Sequence, residues 1–134
     1  MGSGEGSQLK IIIAGSRGLE VDDDRLYTWV DWAARSCLER DWELSDIEIV
    51  SGGEPTGIDA CGERFSRGVL KKEPRVFPAN WKKYGKAAGP LRNKEMALYA
   101  DAALVFLREP TPGSSNMATW MLLLEKPVKV LTCR

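Results

Sequence analysis

A three-layer α/β sandwich around a mostly parallel five-stranded sheet is the fold class this sequence predicts, and three observations predict it. Short apolar runs alternate along the chain with stretches whose apolar residues recur at helical spacing. The first run, Leu9 to Ala14 (LKIIIA), is β-branched and nearly continuous, as in a strand buried on both faces of a parallel sheet. Apolar runs also lead straight into glycine-bearing turns, Gly15-Ser16-Arg17 and Pro110-Thr111-Pro112-Gly113-Ser114-Ser115. Right-handed crossovers then place the helices on both faces of the sheet.

The elements follow in order. Residues 1–8 (MGSGEGSQ) have no apolar period and are set aside as a flexible segment or cloning remnant, leaving 9–134 as one domain. After the first strand, Leu26, Trp29, Val30, Ala33, Cys37 and Leu38 form one helical stripe, with Asp22-Asp23-Asp24 supplying an N-cap and complementing the helix dipole; this helix is expected to end near Asp41. Ile47 to Val50 is the second strand, followed by Ser51-Gly52-Gly53 and a helix marked by Ile58, Cys61, Gly62, Phe65 and Val69. Arg75 to Phe77 is a short strand, and Pro78 to Gly89 an irregular segment. Pro90 is suited to the first position of a helix running to about Tyr99. Ala102 to Leu107 is the fourth strand, Asn116 to Leu124 a helix buried through Met117, Trp120, Met121 and Leu124, and Val128 to Leu131 the last strand. With strand order 3-2-1-4-5 the direction of winding reverses between the first and fourth strands, and the turns at Gly15 and Gly113 flank one crevice.

The totals narrow the function. The chain has 134 residues, and 43% of them are apolar, enough for one domain with its own core. Nineteen basic and 19 acidic residues cancel, so no overall field draws the chain to nucleic acid or an anionic membrane. No apolar run approaches the ~20 residues of a spanning helix, and no leader pattern opens the sequence, so the expectation is a cytoplasmic protein without a membrane partner. Cys37, Cys61 and Cys133 lack disulfide or zinc spacing and are expected to be buried thiols. Histidine is absent, which removes histidine-based nucleophile systems and histidine-ligated metals. No metal or cofactor is called for, and the Asp22-Asp23-Asp24 run lacks the glycine and distal glutamate of a calcium loop.

The candidate ligand-binding residues are those of the carboxyl-edge loops. Gly15, Ser16 and Arg17 offer N–H groups, a hydroxyl and a guanidinium to a phosphate; Gly113, Ser114 and Ser115 offer space and hydroxyls, which also suit helix capping. Gly52 and Gly53 lie on a third such loop, and Asp59 can hold a ribose hydroxyl or base edge, or cap its helix. Trp81 and Tyr84 can stack a base or seal a core, and Arg92 and Asn93 near a helix start favour an anion.

These motifs resemble one family. Ile13-Ala14-Gly15-Ser16-Arg17, Val50-Ser51-Gly52-Gly53 with Gly57-Ile58-Asp59, Pro78-Ala79-Asn80-Trp81 with Tyr84-Gly85, Ala87-Ala88-Gly89-Pro90 with Arg92-Asn93, and Ala100-Asp101 are similar, in order, to the YspA-like branch of the SLOG superfamily, related to the DprA/Smf and LOG proteins. The resemblance spans most of Lys10 to Leu131. It implies a Rossmann-like fold that binds a nucleotide-like small molecule, commonly as a homo-oligomer. The family's Gly-Thr after the fourth strand is Gly113-Ser114 here, and Met117 stands where relatives that cleave N-glycosidic bonds carry a glutamate. The expected function is therefore binding or sensing of a nucleotide-derived ligand. The alternatives are a nucleoside-monophosphate N-glycosidase using Asp59, Glu54 or Glu109, and nucleic-acid binding of the DprA kind through Lys71, Lys72, Lys82, Lys83 and Lys86.

Overall fold

A computed structural model of the chain describes residues 7–108 and 116–133. Strands β1 (Leu9–Gly15), β2 (Ile47–Ser51), β3 (Arg75–Val76), β4 (Ala102–Leu107) and β5 (Val128–Thr132) form one sheet in which every neighbouring pair is parallel. Their order is β3-β2-β1-β4-β5, as the βα rhythm predicts. The segment 1–8 falls outside the described residues apart from Ser7 and Gln8, and the turn from Glu109 to Ser115 falls outside them entirely.

The helices are α1 (Asp23–Leu38), α2 (Gly57–Phe65), α3 (Trp81–Tyr84), α4 (Ala88–Tyr99) and α5 (Asn116–Leu123). Alternation along the central strands divides the core in two. Ile11, Ile13, Ile49, Leu104 and Phe106 face α1 and α2, while Ile12, Val50, Ala103, Val105 and Leu107 face α4 and α5. Cys61 and Cys133 are buried on the α1/α2 side, and half-buried Cys37 packs against that core. Among the described residues no helix is long and apolar enough to cross a membrane.

Local chemistry sets the helix ends. The Asp22 side chain accepts the Arg25 N–H at 2.9 Å, the expected cap of α1. At the other end Glu39 turns left-handed (φ 57°), so the helix stops short of Asp41. Arg35 donates to Asp31 at 2.9 Å and to Asp41 at 2.6 Å, and Trp42 Nε1 donates to Asp31 at 2.7 Å, which folds the following chain back onto the helix. Helix α2 passes into a wider turn, Ser66–Leu70, that carries Val69 against the core.

The segment from Pro78 to Gly89 is more regular than the sequence suggests. Asn80 caps α3 by accepting the Lys83 N–H at 3.0 Å, and a 3-10 turn, Gly85–Ala87, leads into α4 at Ala88. Pro90 is therefore the third residue of α4 rather than the first, and Arg92 and Asn93 fall in its second turn. Proline fits there because the early N–H groups of a helix have no intrahelical acceptor.

The far end of α4 is held by one amine. Lys126 Nζ donates to the carbonyls of Ala97 (2.8 Å), Leu98 (3.0 Å) and Ala100 (2.8 Å), satisfying acceptors the helix itself leaves open. Replacing Lys126 with Met is expected to lower unfolding stability by about 1–3 kcal/mol, read from urea denaturation, because charge-assisted bonds to part-buried carbonyls are lost.

Candidate functional site

Three loops meet at the carboxyl edge of the sheet, and backbone contacts fix them to one another. Ser16 N–H donates to Phe106 O at 3.0 Å, and a side chain at Gly15 would place its Cβ 1.9 Å from that oxygen. Gly57 has φ 74°, and a Cβ there would fall 2.3 Å from Arg17 O. No residue but glycine fits at either crossing. The β2–α2 loop is braced from beneath by buried Ser51, which donates to Glu63 at 2.7 Å and accepts the Gly53 N–H at 3.0 Å.

Above these crossings lies a partly enclosed chamber of about 230 Å³. Its rear wall is apolar, formed by Ala14, Met96, Val105 and Met117, and its polar lining consists of Arg17, Glu54, Asp59, Arg92, Asn93 and Asn116. The site stands between β1 and β4, where the winding reverses, which is where open α/β sheets hold ligands.

Asp59 is the buried acid of the chamber, 7% exposed. It does not cap α2, whose N-cap is Thr56. Its carboxylate instead accepts the Glu54 N–H at 3.1 Å. A Cβ on Gly52 would lie 2.8 Å from both Asp59 Oδ2 and an Arg92 nitrogen, so glycine there lets the acid and the guanidinium share one corner. Burial pushes the Asp59 carboxyl up from 3.8 to about 6, opposed by the Glu54 N–H and the Arg92 charge and reinforced by the Glu54 and Glu63 carboxylates.

The two arginines differ. Arg92 is tied into the wall: it donates to Gly52 O and, at 3.0 Å, to Asn93 Oδ1, while Asn93 donates to Asn116 at 2.9 Å. Arg17 stands at the mouth with its side chain 71% exposed, paired with Glu54 at 3.2 Å.

Of the expected residues, Gly15, Arg17, Gly52, Asp59, Arg92 and Asn93 line the chamber, and so does Glu54. Ser16 does not: its hydroxyl accepts the Arg108 N–H at 3.1 Å and fastens the turn to the end of β4. Gly53 (φ 81°) faces Val76 and a surface groove beyond Glu54. Trp81 lies in an adjoining cavity of about 440 Å³ that shares Arg17, Arg92, Asn93 and Asn116 with the chamber. Gly113, Ser114, Ser115 and Glu109 lie outside the described residues. Asn116 also lines the chamber, although in the sequence a polar residue opening a helix signals only a cap. Among the described residues no group of His, Cys, Asp and Glu could hold a metal ion.

Together these features define a Rossmann-like α/β domain with a charged chamber at its switch point. Compared with protein-family models, curated proteins and solved structures, the chain matches none.

The raised acid has a consequence for stability. Its folded-state value lies above the unfolded one, so its stabilising contribution is complete below pH 3.8 and is lost as pH rises through about 6. Asp59→Asn, which keeps an acceptor for the Glu54 N–H, is expected to unfold with about 1–3 kcal/mol more stability than wild type at pH 7.5 and little or no gain near pH 4, in urea titrations at the two pH values.

Proposed function

We propose that the protein binds or senses a nucleotide or nucleotide-derived ligand, such as a signalling or NAD-derived nucleotide, at the carboxyl edge of its sheet. The observation that carries this reading is the chamber at the reversal between β1 and β4, where Asp59, Arg17, Arg92 and Asn116 converge from separate elements. Arg17 supports it further, because an exposed guanidinium beside a glycine turn suits a phosphate. The resemblance to YspA-like SLOG proteins points the same way. Titration calorimetry with nucleoside mono-, di- and triphosphates, cyclic dinucleotides and NAD metabolites is expected to give saturable binding of at least one, weakened about tenfold or more by Arg17→Ala. No heat from any of them, together with no small molecule released on denaturing freshly purified protein, overturns the proposal.

A second reading, hydrolysis of the N-glycosidic bond of a nucleoside monophosphate, is favoured by one observation. Asp59 holds its proton to about pH 6 inside a partly closed chamber, which suits a general base or acid near neutrality. Water would attack the anomeric carbon and pass its proton to Asp59 as the C–N bond breaks, and the base, leaving with the bonding pair, would take up a proton from solvent. Against it, the apolar Met117 lines the chamber where relatives place a glutamate. Chromatography after incubation with nucleoside monophosphates distinguishes the two: free base that disappears in Asp59→Asn favours the enzyme, and intact substrate rejects it.

The nucleic-acid reading has less support, because a basic face needs its lysines together. Lys72 is bonded to Ser7 and Ser45 O, just ahead of β1 and β2, whereas Lys82, Lys83 and Lys86 follow β3 at the opposite edge of the sheet. Self-association, also implied by the resemblance, is supported by exposed Leu122 and Leu123 on α5 and Val130 on the edge strand β5. Light scattering is expected to give a mass above that of one chain, falling to one chain in a Leu122→Glu, Leu123→Glu double variant. A single-chain mass for wild type rejects the proposed association.

A further inference from the structure

The chamber and its neighbour differ in kind, and the difference divides the ligand. The inner chamber, about 230 Å³, is smaller than the ~300–1,000 Å³ that holds a whole drug-sized ligand, while chamber and outer cavity together fall within that range. Four shared residues set the two cavities side by side.

The inner chamber balances its charges. Two guanidiniums face two carboxylates, so it carries no excess positive charge for a phosphate dianion. Arg92 commits two of its N–H groups to Gly52 O and Asn93, whereas the buried acid, Asp59, accepts from Glu54 N–H alone among the described hydrogen bonds. Such a floor calls for a ligand group that donates, and hydroxyls on a compact ring satisfy it without adding charge beside a buried acid.

The outer cavity presents a flat aromatic surface. The edge of the six-membered ring of Trp81 abuts the start of α4 at Gly89, where a Cβ would come 3.2 Å from its Cη2 and 3.9 and 4.0 Å from the ring atoms on either side. The residue remains 46% exposed and lines the outer cavity. An indole held at its edge and exposed over nearly half its surface offers a face on which a base can stack.

We infer that the inner chamber is a sugar subsite in which Asp59 receives ribose hydroxyls, and that Trp81 stacks the base in the outer cavity, so the ligand is a ribonucleoside derivative whose phosphate stays at the mouth near Arg17. This rests on the proposed nucleotide-binding function and assigns the parts of the ligand to parts of that site.

Calorimetry with AMP, GMP, CMP and UMP, their 2′-deoxy counterparts and ribose 5-phosphate tests it. The best ribonucleotide is expected to lose about tenfold or more on removal of its 2′-hydroxyl, and Asp59→Asn to narrow that gap to about threefold or less. Trp81→Ala is expected to weaken the nucleotide by about 5–150-fold with little change for ribose 5-phosphate, and Trp81→Phe, which keeps a stacking face, to restore most of the loss. Equal affinity for ribo and deoxy forms, or equal weakening of nucleotide and sugar phosphate by Trp81→Ala, overturns the subsite assignment while leaving nucleotide binding standing. Absence of binding by every nucleotide here and in the wider panel overturns both.

Discussion

Two backbone crossings carry the site. At Gly15 the end of β1 runs so close to Phe106 O that no Cβ fits, and at Gly57 the start of α2 presses on Arg17 O in the same way. The candidate chamber hangs from these contacts. They lock the β1–α1 turn to β4 on one side and to the β2–α2 loop on the other, so Asp59, in the first turn of α2, is carried to the same opening as Arg17. The hydroxyl of Ser16 tightens the first crossing by accepting the Arg108 N–H, and Ser51 with Glu63 stiffens the second loop from below. A parallel sheet supplies the crevice in general; the glycines decide that this one is narrow and firm.

Within that frame the placement of Asp59 works against stability. A carboxylate drawn out of water is compensated here by one N–H and a nearby guanidinium, and its proton affinity rises because the compensation is incomplete. An asparagine would fit the corner with less strain on the fold. A group whose presence costs folding energy, set in a cavity with charged neighbours, is the usual physical mark of a functional residue, whereas Asp22, exposed and bonded to the Arg25 N–H, carries out an ordinary structural task.

The sequence exposes what depends on local pattern. Strand order, the two-sided core and the Asp22 cap all follow from periodicity and capping chemistry, and glycine after a strand marks the crossings. What it conceals depends on partners distant in the chain. Pro90 fits any early position of a helix, so it could not fix the start of α4, which begins at Ala88 because the 3-10 turn at Gly85–Ala87 runs into it. Helix α3 is too short to show a period and exists because Asn80 caps it. Asp41 looks helical by composition, yet Arg35 and Trp42 pull the chain back after Glu39. Asn116 acquires its place only through Asn93, 23 positions earlier.

The contrast between the two arginines bears on how a ligand could enter. Arg92 cannot leave its bonds to Gly52 O and Asn93 without stranding a part-buried carbonyl, a loss of about 1–3 kcal/mol, so it behaves as wall rather than as hand. Arg17 gives up much less: an exposed ion pair such as the one it makes with Glu54 contributes only ~0–1 kcal/mol. Among the described residues, the reorganisation that the proposed binding would require is thus confined to one exposed side chain at the mouth, while the carboxylate, the amides and the apolar wall are already in place. For the proposed ligand, a site arranged in this way would spend little of its interaction energy on ordering itself, and selectivity would come from the fixed part: the acceptor at Asp59 and the dimensions set by Met96, Val105 and Met117.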